Sequence, residues 1–339
     1  MDEPSVTQLE QPLDDQVVAA LVAVRRAADA ARDPDDPPVG AAELVPDLFV
    51  DRPREVRAVW LATHDDAPVG LLVGGVSVDG ENAGYAELEI DVVPGPSAAG
   101  TQRTLLRAAL PWFESRSART LAWWPDDATS RSVAAEAGMT FRQQERCSRV
   151  RVAELDDALL DEWTAAVDAQ AAGYRLELWT GACPDELLDP YVAAYTAMND
   201  APLDEIDWTP EQYTAAIVRR SEEVAAARGV TVHAAVVVAP DGSGAGMTRI
   251  DVHPERPQLA HQEDTAVVPA HRGRRIGRWL KVANLRAVRE RVPEVAIVET
   301  FNAESNPWML DINVAMGFRP YRAYDAYQGP IGAVRDALG

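Results

Sequence analysis

Apolar positions along the chain follow two periods, and the two recur in the same order twice. Residues 6–9 alternate as a short strand. Val17, Val18, Leu21, Val22 and Val24 mark one face of a helix over 14–31, which the Asp-Pro-Asp-Asp-Pro-Pro segment at 33–38 stops. Runs at 56–63 and 69–78 flank Asp65-Asp66-Ala67-Pro68 and predict a β-hairpin with a loop longer than two residues. A strand at 85–93 is halted by Pro94. A helix over 102–115, a strand at 120–124, a helix near 129–137 and a β-rich stretch from Gly138-Met139-Thr140-Phe141 follow.

The second half repeats that order. A strand at 174–179 precedes a helix beginning after Pro184, and a hairpin of 232–238 and 245–251 turns around Asp241-Gly242-Ser243-Gly244. A β-branched run at 265–268 is stopped by Pro269, and Ile276, Leu280, Ala283 and Ala287 then recur at helical spacing. Pro94 matches Pro269 and Gly138 matches Gly317 at nearly the same offset, which implies an internal duplication. The pattern predicts an α/β protein (α+β, mixed sheet) of two tandem domains, 1–155 and 156–339. The boundary falls in a helical segment at 155–172 whose tail, 169–173, reads as a connector.

Composition narrows the function. A chain of 339 residues with 47% hydrophobic and 25% charged residues is an ordinary globular one, long enough for two cores. A net charge of −22 argues against a nucleic-acid partner. No apolar run is long enough to span a bilayer, and the acidic start MDEPSV lacks the positive region of a signal peptide, so no membrane association and a cytoplasmic location are expected. Two widely separated cysteines, Cys147 and Cys183, fit a reducing compartment, and no His or Cys pair has metal-site spacing. Lys281 is the only lysine, a feature read chiefly as genome composition.

Against this acidic background one span is basic: Arg272, Arg274, Arg275, Arg278, Lys281, Arg286, Arg289 and Arg291, opposed within it only by Glu290. A strand, a turn rich in arginine and glycine, and a helix aim backbone N–H groups and the positive end of the helix dipole at one point, a natural phosphate site. An exposed arginine-rich turn is the plainer reading of the same residues.

The loop Arg272-Gly273-Arg274-Arg275-Ile276-Gly277, taken with ETFNAESNPWMLDINVAMGFRPY further on, resembles the GNAT superfamily of acyl-CoA-dependent N-acyltransferases, best over 174–328. The superfamily's loop has the form Arg/Gln-x-x-Gly-x-Gly/Ala, and Arg275 stands where glycine is usual. A side chain there is expected to forbid any backbone approach that needs positive φ. The resemblance implies acetyl-CoA as cosubstrate and a small-molecule primary amine as acceptor, attacked directly in a ternary complex, with the protein a monomer or homodimer. Through it, Val267, Val268, Arg272, Gly273, Arg274, Arg275, Ile276, Gly277, Arg278, Asn302, Asn306 and Met309 are the expected cofactor-binding residues. The thioester carbonyl is expected to be polarised by backbone N–H near Val267 or Val268. Asn306 before Pro307 also reads as a helix N-cap, while Met309, Ile312 and Met316 line that helix's apolar face.

An attacking amine must first lose a proton. Glu263, Asp264 and Glu299 are the carboxylates placed to take it, with His261 and His271 as less favoured bases. The position that often carries a tyrosine general acid is Asn313, so water or another group, Tyr321, Tyr324 or Tyr327 among them, is left to protonate the thiolate. Acidic residues Asp200, Asp204, Glu205 and Asp207 within 198–208 read as the mouth for a cationic amine, or as a solvated loop. In the first half Ser97, Ala98 and Gln102 stand opposite Arg272, Gly273 and Gly277, although Gly100 stands where the superfamily expects its central glycine, and Asp127 stands opposite Asn306; the missing arginines mark that half as a degenerate copy. The resemblance also allows a non-catalytic acyl-CoA- or partner-binding module, and the bare loop an unrelated nucleotide-binding protein.

Overall fold

The computed structural model describes residues 3–339, without the side chains of 167–170. The elements run β1 (Ser5–Leu9), α1 (Asp15–Arg32), α2 (Ala41–Phe49), β2 (Glu55–His64), β3 (Ala67–Ser77), β4 (Tyr85–Val92), α3 (Ala98–Ser115), β5 (Thr120–Trp123), α4 (Ala128–Glu136) and β6 (Thr140–Arg151). Then come α5 (Asp157–Gln170), β7 (Arg175–Thr180), α6 (Asp185–Tyr195), α7 (Ala215–Ala227), β8 (Thr231–Val238), β9 (Gly244–Val252), β10 (Leu259–Val267), α8 (Ile276–Arg291), β11 (Ile297–Ala303), α9 (Pro307–Ala315), β12 (Arg319–Pro330) and α10 (Ile331–Leu338). The order from β1 to β6 therefore recurs from β7 to β12.

The two compact units are not the contiguous halves 1–155 and 156–339. One comprises Met1–Glu145, Leu203–Thr209 and Ala323–Gly339; the other comprises Arg146–Pro202 and Pro210–Arg322. Linear periodicity cannot show this, because β6 and β12 each cross from one unit into the other. In the first unit, Tyr327 to Pro330 of β12 pair antiparallel with Trp123 to Thr120 of β5, and Val334 and Leu338 of α10 join the core.

The first unit's sheet runs β1-β2-β3-β4-β5-β12. Its strands alternate strictly. Trp60, Leu72 and Leu88 face α3 and α4, while Val59, Leu61, Leu71 and Val73 face α1 and α2. The β2–β3 turn is tighter than expected, two residues long, with Asp65 and Asp66 both at positive φ as a primed hairpin turn requires. Helix α3 begins at Ala98, so Ser97 is its N-cap and Gly100 and Gln102 are helical. No glycine-rich loop precedes it.

The second unit's sheet runs β6-β11-β10-β9-β8-β7; β7, β8, β9 and β10 pair antiparallel in turn, and β10 and β11 pair parallel. Its inner faces pack under α6 and α7 on one side and under α5 and α8 on the other. Strand β10 starts six residues earlier than the run 265–268 predicted. The polar Glu263-Asp264 pair that hid it sits in a β-bulge between Gln262 and Thr265.

Candidate functional site

The loop between β10 and α8 is built by local chain chemistry. Pro269 opens a single 3₁₀ turn through His271, and Gly273 follows at φ 80°, where a Cβ would meet nothing within 4 Å. Arg275 is the N-cap of α8 at φ 62°, ψ 13°. The expectation that a side chain forbids this backbone is corrected: arginine adopts the left-handed conformation here, at a cost of roughly 1–2 kcal/mol that glycine would not incur. Ile276 is core, and the first-turn N–H groups of α8, Gly277 and Arg278 among them, have no acceptor within the helix.

The basic cluster is smaller than its sequence suggests. Arg278 lies over the Trp163 ring at 4.4 Å, while Arg286 and Arg289 pair with Asp161 and Asp157 of α5 at 2.5 and 2.6 Å. Lys281 is buried. Arg272, Arg274 and Arg275 remain at the loop. Arg274 Nη1 donates to the Ala270 carbonyl at 2.9 Å; Arg272 Nε donates to the Val267 carbonyl at 3.0 Å and pairs with Asp200 at 2.6 Å.

Beside the loop the sheet opens. Pairing between β10 and β11 ends at Gln262 with Thr300, where Thr300 Oγ1 donates to the Gln262 carbonyl at 3.1 Å. Both strands continue without each other as partner, β10 to Val267 and β11 to Ala303. The Val268 N–H is spent on the Ala245 carbonyl at 2.9 Å, so Val268 is not the free donor. By strand alternation the Val267 N–H points away from β9, into the gap. An open Gly273, unpaired helix amides, cationic side chains and a strand gap with a free N–H fit a diphosphate on an extended amide-bearing arm.

The three carboxylates differ sharply. Glu299, buried, receives Arg149 Nε at 2.5 Å and faces His261 Nδ1 at 3.6 Å, an ion pair rather than a free base. The Tyr195 hydroxyl donates to Asp264, whose pKa burial raises above the usual carboxylate range. Glu263 is exposed at the bulge. Crowding of its carboxyl by protein atoms, with the negative charges of Asp251 and Asp264, pushes its pKa up to about 7. Of the histidines, His271 Nδ1 meets the Tyr174 hydroxyl at 2.8 Å.

A pocket of ≈ 450 Å³, open mouth included, lies between α6, α7 and strands β7 to β9, with Trp179, Tyr191, Tyr195, Tyr213, Glu222 and Arg249 in its wall. Sequence reasoning did not assemble it, because its aromatic residues come from three separate segments, β7, α6 and the stretch before α7. Tyr195 joins it to Asp264. Arg249 is held by Asp251 at 2.6 and 2.5 Å. The acidic mouth expected over 198–208 is divided: Asp200 pairs with Arg272, whereas Leu203–Thr209 belongs to the other unit. There Glu205 pairs with Arg142 at 3.6 Å, Asp207 accepts from Thr120 at 3.1 Å, and Trp208 packs edge-on against Tyr85.

Asn306 caps α9, accepting from the Met309 N–H at 3.2 Å; Met309 is only partly buried, while Met316 is core. Asp127 caps α4 in the same way through Thr129 and Ser130. Asn313 is 1% exposed and links Lys281 Nζ at 2.9 Å to Asn302 Oδ1 at 2.6 Å. Of the tyrosines considered as proton donors, Tyr321 lies under the Arg149 guanidinium at 3.9 Å, and Tyr324 and Tyr327 belong to the other unit. Among the described residues no group of three or more His, Cys, Asp or Glu is placed to hold a metal ion, and no helix is long and apolar enough to cross a membrane.

No family model and no curated protein matches the sequence. Solved structures do. A tandem GNAT protein from the clavulanic acid biosynthesis pathway, solved without AcCoA, aligns over 97% of this chain and 99% of its own, with a TM-score of 0.78 and 24% identity. A GCN5-related N-acetyltransferase from Sphaerobacter thermophilus aligns over 96% of each chain (TM-score 0.66, 15% identity). The glucosamine N-acetyltransferase region of a fungal multi-domain GH3 β-N-acetylglucosaminidase aligns over 96% of this chain and 38% of that one (0.65, 15%). The chain has the tandem GNAT fold, a mixed α/β architecture.

Proposed function

We propose that the chain is an acyl-CoA-dependent N-acetyltransferase that moves an acetyl group to a primary amine of a small molecule by direct attack, using the unit that contains the Arg272 loop. The observation that carries this reading is the parting of β10 from β11 beside that loop, which leaves the Val267 N–H without a sheet partner. The neighbour solved without AcCoA supports acetyl-CoA as the cosubstrate.

Arg272, Arg274, Arg275, Gly273 and the first-turn amides of α8 hold the cosubstrate's diphosphate, and Asn302 and Asn306 border its arm. Bound coenzyme A supplies the activated thioester. Val267 offers its N–H to the thioester carbonyl, where charge develops. Glu263 takes the proton that the amine must lose, since a pKa of about 7 keeps much of it ionised near neutrality and its exposure lets water carry the proton away. The aromatic pocket beside Asp264 receives the acceptor. The first unit is a degenerate copy: α3 starts before any phosphate loop forms, and Asp127 puts a carboxylate where an anion would approach.

A non-catalytic acyl-CoA-binding module is the second reading, favoured by Asn313 at the usual tyrosine position. Release of free thiol from acetyl-CoA with a panel of amines separates the two. The enzyme releases thiol only when an amine is present, and a binding module releases none.

A further inference from the structure

Lys281, the one lysine in the chain, is 1% exposed. A buried ammonium is costly unless it is paired, yet among the described residues no carboxylate pairs with it. Its hydrogen-bond partner is Asn313 Oδ1 at 2.9 Å, and its nearest ring is Phe318, 5.8 Å to the centroid. Asn313 Nδ2 then donates to Asn302 Oδ1 at 2.6 Å.

This line has a direction. An ammonium only donates, so Asn313 must turn its carbonyl oxygen toward Lys281 and its amide toward Asn302. Asn302 can meet that amide only with its own carbonyl oxygen. Its NH₂ group is thereby left for other acceptors, on a half-buried residue two positions past Thr300, where the β10–β11 pairing has ended.

We propose that Lys281 is a positioning residue that orients Asn313 and Asn302 so that the Asn302 amide donates to the sulfur set free when the thioester is cleaved. Resting on the acyl-transfer reading, it answers the lack of a tyrosine: an oriented amide stabilises the thiolate, and water later supplies the proton. Burial alone lowers the Lys281 pKa, to about 7, and neither α9, β11 nor the Phe318 segment sets a charged group against it. A neutral amine keeps two N–H groups, so Lys281 can still donate to Asn313 Oδ1 and hold the orientation after it loses its proton.

The test uses the full chain with coenzyme A and follows thiolate absorbance in the short-wavelength ultraviolet as pH is raised, against the same protein with desulfo-coenzyme A, with coenzyme A binding measured in parallel by calorimetry. The wild type should ionise the bound thiol at a pH at least about one unit below that of free coenzyme A, a roughly tenfold excess of thiolate. Lys281→Met, which replaces the amine by an apolar chain of similar length, should abolish most of that excess while still binding. Asn302→Ala, at a half-buried site, should do the same and serves if Lys281→Met fails to fold. Wild-type titration in both variants with coenzyme A bound overturns the inference alone. Failure of the wild type to bind coenzyme A overturns the acyl-transfer reading, and this inference with it.

Discussion

Arg149 Nε stands 2.5 Å from Glu299 Oε2, both side chains nearly buried, a pairing that Glu299 would have to give up to accept a proton. A buried ion pair is weak evidence of stability, but breaking it leaves an uncompensated charge. Arg149→Ala should lower the unfolding free energy by about 3–5 kcal/mol, measured by chemical denaturation. Arg149→Met with Glu299→Gln should recover most of the loss, and that double variant should retain acyl transfer.

With Glu263 as the proposed base, its carboxyl governs the expected pH dependence. With its pKa raised to about 7, the base is protonated at acid pH, so kcat/KM should rise with pH along a limb centred near 7. Glu263→Gln should lower kcat by roughly 10²–10⁴-fold and erase that limb, leaving coenzyme A binding intact. An unchanged limb would move the base elsewhere.

Arg275 joins a charge to a strained backbone, and substitutions separate the two. Arg275→Gly should stabilise the fold by about 1 kcal/mol, because glycine adopts φ 62° without penalty, and should weaken coenzyme A binding only modestly. Arg275→Val retains the strain and adds a β-branch, so it should destabilise. Thermal unfolding of the pair checks the sign.

Lys281 should be visible in stability itself. Its folded pKa, about 7, lies below the ordinary 10.5, so between these values the unfolded chain binds more protons than the folded one. Stability should therefore rise with pH through that window and be lost as pH falls through it, relative to Lys281→Met, by an amount on the order of a few kcal/mol. Denaturant midpoints of both proteins at pH 6.5 and 10, values taken as about half a unit outside and inside that window, compare the two.

Much of this was legible in the chain because it is local. The hairpins, the cap at Asn306 and the Arg272–Gly277 loop each follow from residues a few positions apart. What escaped is long-range. The Glu263-Asp264 bulge interrupts the alternation that would have extended β10, and α2 is short and carries Pro46 in its interior. Nothing in the acidic run 198–208 says that Asp200 turns to Arg272 while Asp207 turns to Thr120. Lys281 was in plain view as the sole lysine, but its meaning required seeing it buried against Asn313.

The central claim is tested most directly by a crystal structure with coenzyme A bound, alongside binding to Arg272→Ala/Arg275→Ala and to Ser97→Arg. Diphosphate density should lie on the turn from Gly273 to Gly277, with the pantetheine arm between β10 and β11. Binding should be much weaker in the double variant and unchanged in Ser97→Arg. An empty turn with coenzyme A lodged elsewhere, or equal losses from both sets of substitutions, would contradict the claim.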